Sequence, residues 1–280
     1  MKAIKTAREI LKKYVFPEGL YCISCGAIID GSRTYHLCDE CMAGFSWITG
    51  EACSLCGKSM GHADARRNIS LAAANLGNPG RGPEAEILCH DCMVHPHSFD
   101  RGFSCVSYGE KEKQPLMKLK YGGAGYLGET LGKIMYDRLI QALGEEGGEI
   151  PFDTVIPVPV HPKRLALRGY NQAALMGKSL AELLQLPFEA EALRRVKATE
   201  KMSGLGAEKR VENLEGAFEI TKKGRALAGQ KILLVDDIYT TGNTADAAAA
   251  VLKSAGIDRV YLATFASGSN FVPDVEMNGR

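Results

Sequence analysis

Residues 232–244 read ILLVDDIYTTGNT. Ile232, Leu233, Leu234 and Val235 are apolar in succession, the pattern of a strand buried on both faces of a parallel sheet. Two carboxylates, Asp236 and Asp237, follow where that strand is expected to end. Small hydroxyl residues then surround one glycine, in Thr240, Thr241, Gly242, Asn243 and Thr244, and an alanine-rich helix is expected from about Asn243 to Ser254. A strand, a tight Thr/Gly loop and a helix N-terminus make a cradle for phosphate, because backbone N–H groups and the positive end of the helix dipole face the anion. Two acids at the rim accept hydrogen bonds from sugar hydroxyls, directly or through Mg²⁺. The segment therefore describes a pocket for a ribose 5-phosphate. The plainer alternative is an ordinary strand–turn–helix with solvated acids at its mouth. It is disfavoured because paired acids at a buried edge are costly without partners.

The chain has 280 residues, enough for one good core and a small second domain. Its net charge is +1, so no global field draws it to nucleic acid or to a membrane surface. No apolar run approaches the length of a membrane span, and no membrane insertion is expected. At the N-terminus, Ile4, Ala7, Ile10, Leu11, Tyr14 and Val15 fall at helical spacing among basic residues. Residues 1–20 read as an amphipathic leading helix and not as a signal peptide.

Eight of the nine cysteines form four Cys-x-x-Cys pairs: Cys22/Cys25, Cys38/Cys41, Cys53/Cys56 and Cys89/Cys92. A disulfide scaffold suits a short secreted chain, which this is not. The knuckles point to two structural Zn²⁺ sites in a reducing compartment, so a cytoplasmic location is expected. Gly26 and Gly57 follow the first and third pairs, as a knuckle turning with positive φ requires. Sequential pairing is simplest: Cys22, Cys25, Cys38 and Cys41 on one ion, Cys53, Cys56, Cys89 and Cys92 on the other. Spacing alone leaves a cross-braced pairing open. His36 and His90 lie beside the pairs as substitutes, and Cys105 is expected in the core.

The metal module spans residues 21–98, with a Gly-, Asn- and Pro-rich insert at 60–88. An α/β domain covers 99–268 and a polar tail 269–280. Strands are expected at 103–108, 154–160, 231–236 and 259–266, and helices at 126–143, 170–184 and 244–255. Strand–helix–strand alternation implies right-handed crossovers and a parallel sheet.

Two further segments are cationic. In PVPVHPKRLALRGYNQ (157–172), His161, Lys163 and Arg164 follow a strand, and Arg168 precedes a helix. A polyanion such as pyrophosphate needs cations and exposed amides at a strand's C-terminal end. In residues 193–218, Arg194, Arg195, Lys197, Lys201, Lys209 and Arg210 surround a Gly-rich centre with no apolar period. This fits a mobile basic flap over an anionic substrate, against a merely solvated loop. Gly123–Gly128 matches G-x-G-x-x-G, but the basic MKLKY before it is no buried strand, so a dinucleotide site is discounted. Gly57-Lys58-Ser59 and Gly177-Lys178-Ser179 lack the earlier glycine of a P-loop.

Residues 232–244 resemble the PRPP signature of type I phosphoribosyltransferases. The whole chain resembles the ComF family, a double zinc ribbon fused to a phosphoribosyltransferase domain. The matching features are a leading helix ending near Phe16-Pro17, the Cys-x-x-Cys-Gly knuckles, Trp47 between them and Lys120-Tyr121. Arg168-Gly169-Tyr170-Asn171-Gln172 and Arg210-x-x-Asn213 before Ala217-Phe218 complete the match. Met202 stands where the family usually has Gln, so no role carries over to it. The resemblance implies an α/β fold of the type I phosphoribosyltransferase kind, a parallel sheet flanked by helices, with a small N-terminal double zinc ribbon. It also implies a loose link to DNA uptake in natural transformation.

The first functional expectation is a Mg²⁺-dependent enzyme in which a nucleobase-like nitrogen acceptor displaces pyrophosphate from PRPP. Thr240–Thr244 hold the 5-phosphate, Asp236 and Asp237 the ribose hydroxyls, and His161, Lys163, Arg164 and Arg168 the pyrophosphate. Arg195, Lys209 and Arg210 belong to the flap. The second expectation is a non-catalytic module that senses PRPP or a nucleotide. Its ribbons and flap would bind single-stranded DNA or a competence ATPase, with Trp47 and Phe45 stacking on bases.

Overall fold

The computed structural model describes residues 19–60, 87–144, 148–197, 214 and 216–268. The expected leading helix up to residue 18, the insert from 61 to 86, the flap centre with Met202, Lys209 and Arg210, and the tail lie outside them. The cysteine module carries the short helices α1 (Asp39–Gly44) and α2 (His90–Val94). The α/β domain then runs β1 (Arg101–Ser107), α3 (Glu110–Tyr121), α4 (Leu127–Gly144), β2 (Thr154–Pro157), α5 (Pro162–Arg168) and α6 (Gln172–Leu184). It continues with β3 (Leu193–Arg195), β4 (Phe218–Ile220), α7 (Lys222–Arg225), β5 (Lys231–Tyr239), α8 (Asn243–Ser254) and β6 (Arg259–Ser267).

Strands β1, β6, β5 and β2 form a parallel sheet in that order. Successive residues of β5 serve opposite faces. Leu233 and Val235 join Ala263, Phe265 and the α4 and α6 side chains Leu131, Ile134, Met176 and Leu180. Ile232 and Leu234 join Val260, Leu262 and the α8 residues Ala245, Ala248, Ala249 and Leu252. This two-sided burial explains the unbroken apolar run of ILLV. In α4, a Cβ on Gly128 would stand 2.5 Å from Leu175 Cβ of α6. That glycine of the G-x-G-x-x-G match therefore serves close helix packing.

The elements differ from expectation in several places. β5 does not end at the acids; it carries both, because β6 extends alongside with Asp236 opposite Thr264 and Ile238 opposite Ala266. β2 stops at Pro157, where Pro157 and Pro159 offer no amide donor. Helix α5 stands in the cationic segment, and α6 begins at Gln172. Helix α3 had no periodic signature, since it is lysine-rich and encloses Pro115, yet it buries Leu116 and Leu119.

Both cysteine ribbons dock on the β1 edge of the sheet. Ile48 N–H donates to Cys105 O at 2.9 Å and Ser107 N–H to Ser46 O at 2.8 Å, covering an edge otherwise open to pairing. Gly102 N–H donates to Leu55 O at 2.7 Å, and a Cβ on Gly57 would lie 2.5 Å from Gly102 O. Pro115 cannot donate to Lys111 O within α3, and the Ser24 hydroxyl of the first ribbon donates to that carbonyl instead, at 2.9 Å. Lys118 Nζ donates to Ile23 O and Ser24 O at 2.9 and 3.0 Å. Each ribbon adds its buried side chains to one of the two cores, the first to the α4/α6 side and the second to the α8 side.

Candidate active site and metal centres

The eight paired cysteines form two tetrads, Cys22/Cys25/Cys38/Cys41 and Cys53/Cys56/Cys89/Cys92, each with its ligand atoms within 4.8 Å of one another. The pairing is sequential. In a tetrahedral site with Zn–S of about 2.3 Å, neighbouring sulfurs stand about 3.8 Å apart. Cys25 and Cys38 sulfurs are 3.7 Å apart, as are those of Cys56 and Cys89, so the donor sets fit Zn²⁺. His36 and His90 are not members of either set. Gly26 and Gly57 have φ of +79° and +72°, as the knuckle turns require. Cys105 is buried in β1, and burial pushes its thiol up to about 12.

At the C-terminal half of β5, Asp236 and Asp237 stand half-buried between strands and helices. Asp236 Oδ1 accepts from Asp237 N–H at 2.8 Å. Burial, and next the neighbouring Asp237 charge, push the Asp236 carboxyl up to about 7. Lys120, at the end of α3, ion-pairs with Asp237 at 2.6 Å. Burial works against the ammonium, but the Asp237 and Asp236 charges outweigh it and raise the Lys120 pKa. Arg195 on β3 feels the Arg164 and Asp236 charges, and burial lowers its pKa first of all. Its guanidinium lies 5.4 Å from the centre of the Phe218 ring. The strand pair β3–β4 therefore replaces the expected unstructured start and end of the flap.

Beyond the acids, Gly242 (φ +84°) is the N-cap of α8, and no side chain caps this helix start. Thr240 is exposed, and Thr241, Asn243 and Thr244 are half-buried around it. First-turn amides without a side-chain cap form an anion site when an anion is present.

Residues 11–93 match the Double zinc ribbon domain, and residues 172–275 match the Phosphoribosyl transferase domain. This is the domain pair of the ComF family.

The curated relatives are distant, but the matches span most of this chain. Competence protein F of Haemophilus influenzae is 28% identical over 62% of this chain and 76% of its own length. DNA utilization protein YhgH of Salmonella typhimurium is 27% identical over 75% of this chain and 87% of its own. Competence protein ComFC of Bacillus subtilis is 25% identical, covering 79% of each.

In this chain α5 follows the end of β2, beside the site. His161 caps it, its Nδ1 accepting from Lys163 N–H at 3.2 Å, and Lys163 is exposed. Arg168 turns to Tyr121, its guanidinium 5.1 Å from the ring centre and Nη2 3.3 Å from the hydroxyl. Phe45, by contrast, is only 5% exposed and packs 5.3 Å from Trp47, whose indole donates to Met42 O. Phe45 is thus a ribbon core residue and offers no face to a base. Sequence reasoning gave Lys120 no role at the acids, although Lys120-Tyr121 was a family match. It passed over His97 entirely. The family match at Lys120-Tyr121 is the signal in the sequence that could have pointed to Lys120.

Proposed function

We propose that the chain binds PRPP and transfers its ribose 5-phosphate to a nitrogen acceptor. The observation that carries this reading is the acid pair of β5 beside the Gly242 start of α8, which has no side-chain cap. The 5-phosphate rests on the Thr240–Thr244 amides, and Asp236 and Asp237 engage the ribose hydroxyls, directly or through Mg²⁺. His161, Lys163, Arg164 and Arg168 surround the pyrophosphate. The acceptor nitrogen attacks C1 of the ribose, the C1–O bond to pyrophosphate breaks, and pyrophosphate leaves with the electron pair. Preorganised cations and amides stabilise the charge that develops on it. Arg195, with Lys209 and Arg210 of the flap, closes over the reacting centre. Pyrophosphate release from PRPP, measured with a panel of nucleobases, tests the reading. Release with no base above the acceptor-free rate would end it as an enzyme.

A second reading is favoured by one observation: the loop Thr240–Thr244 holds no titratable group that could take the acceptor's proton. The pocket then senses PRPP or a nucleotide without turnover. The relatives' names, competence and DNA utilization, support a place in DNA uptake, with single-stranded DNA or a competence ATPase as partner. In that case PRPP binds by calorimetry, no base gives turnover, and the Lys209→Ala/Arg210→Ala double variant loses affinity for single-stranded DNA.

A further inference from the structure

The phosphate loop is held from behind by a residue outside the domain that carries it. His97 follows the second ribbon, and its side chain is 2% exposed. Its Nδ1 lies 2.8 Å from Asp246 Oδ2, and its Nε2 lies 3.1 Å from the Tyr239 hydroxyl. A carboxylate only accepts, so Nδ1 carries the proton and Nε2 accepts from the tyrosine. The ring stacks on Phe99 with centroids 4.6 Å apart. Its edge closes on the loop itself: a Cβ on Gly242 would stand 2.8 Å from His97 Cε1 and 3.1 Å from Tyr239 Cε2. Gly242 therefore answers two demands at once, a left-handed φ of +84° and the approach of this ring.

Asp246 stands in the first turn of α8. A carboxylate there is attracted to the same free amides and positive dipole end that a phosphate needs, and would compete for them. Both its oxygens are occupied elsewhere: Oδ2 by His97 and Oδ1 by the Ser98 N–H at 2.7 Å. Tyr239, the last residue of β5, is gripped from its other side by the second ribbon. Lys58 Nζ lies 5.3 Å from the Tyr239 ring centre and 2.9 Å from Asp91 Oδ2, and Asp91 lies between Cys89 and Cys92.

We propose that His97 is a positioning residue for the phosphate loop: it pins Gly242 and Tyr239 and withholds the Asp246 carboxylate from the start of α8. The loop is thereby preorganised for a phosphate monoester. The inference rests on the phosphoribosyl reading for the ligand's identity, but the effect on the loop does not.

The test uses full-length, zinc-loaded protein with His97→Ala, His97→Asn, Gly242→Ala and the Gly242→Ala/His97→Ala double variant. Asn retains a donor to Asp246 but loses the ring and the contact to Tyr239. Amide hydrogen exchange of residues 240–244 is read without ligand, and calorimetry with ribose 5-phosphate and with PRPP follows. Zinc content and melting temperature are recorded alongside. Exchange at the loop should quicken tenfold or more in His97→Ala, and phosphate affinity should fall tenfold or more. His97→Asn should lie between it and wild type, with two zinc ions retained throughout. Gly242→Ala should weaken binding strongly alone and by a smaller factor in the His97→Ala background, where the clashing ring is gone. If His97→Ala does not fold, His97→Asn and Gly242→Ala still decide the matter.

Loop exchange unchanged in the folded His97 variants overturns the proposal, and so does quickened exchange with wild-type phosphate affinity. Equal Gly242→Ala factors in both backgrounds overturn it as well. Wild-type protein that binds neither ligand sinks the phosphoribosyl reading; quickened loop exchange in the variants would then still support the positioning role.

Discussion

Lys120 Nζ lies 2.6 Å from Asp237 Oδ2, with the two side chains 18% and 15% exposed. Lys120 sits one residue from the end of α3, two residues past Lys118, which donates to the first ribbon's backbone. One short helix thus ties the first ribbon to the acid pair. The lysine offsets one of two adjacent carboxylates, and the other stays at a pKa of about 7.

Replacing that cation should expose the cost of the pair. Lys120→Met keeps the length of the side chain and leaves Asp237 without its partner. Breaking a buried ion pair from one side costs about 3–5 kcal/mol; partial exposure here should place the loss at the low end. Urea midpoints at pH 8 should fall, and the loss should shrink as pH drops below about 7, where the neighbouring Asp236 takes up its proton.

The raised Asp236 carboxyl predicts a pH dependence of definite sign. Its folded pKa, about 7, lies above the unfolded value, about 3.9, so the folded state binds the extra proton between them. This contribution to stability is complete below the unfolded value and is lost as pH rises through about 7. Asp236→Asn should therefore be little different from wild type at pH 4 and more stable at pH 8 by denaturant titration. Mg²⁺-PRPP affinity of wild type should rise over the same interval, as Asp236 ionises.

Metal analysis of reduced protein should give two zinc ions per chain. Structural zinc of this kind supplies folding free energy of order 10 kcal/mol per site. The ribbons share their cores with the α/β domain and pair with β1, so chelation should lower the melting temperature of the whole chain. Cys105→Ser should leave the zinc count at two, and Cys105 should resist alkylation in the native protein. Chelation that leaves the melting of the α/β domain unmoved would contradict the shared cores.

Ser24 and Pro115 should be energetically coupled across the ribbon–helix contact. Ser24→Ala removes the donor to the Lys111 carbonyl that Pro115 cannot satisfy, a loss of about 1 kcal/mol for a part-buried acceptor. Pro115→Ala restores an N–H four residues after Lys111. The Ser24→Ala cost should then shrink in the Pro115→Ala background, as a double-mutant cycle on chemical unfolding would read out. Additive costs would show that the carbonyl finds another donor.

Much of the site was legible in residues 232–244, because each signal there is local. A run of apolar residues reports a strand covered on both sides, and glycine at 242 reports a left-handed backbone. The cysteine spacing reports a tetrahedral thiolate site in the same local way. The end of β5 was misjudged because the polarity of Asp236 and Asp237 reads as a strand end, whereas β6 keeps pairing with them. Helix α3 escaped because its proline and lysines hide a face whose worth depends on the ribbon packed against it.

The sequence by itself determined which segment carries the glycine turn into an uncapped helix start, which acids stand beside it, and which thiols gather into the two tetrads. Those follow from backbone geometry and ligand type over a few residues. Only the tertiary structure decided which cations serve the acids and what fixes the loop. Lys120, Arg195 and His97 come from three separate segments, and the chain holds many lysines, arginines and histidines of equal promise on paper. Their roles arise where packing brings them into a place that water has left. There, a charge or a ring edge at 3 Å counts in a way that no spacing along the chain can announce.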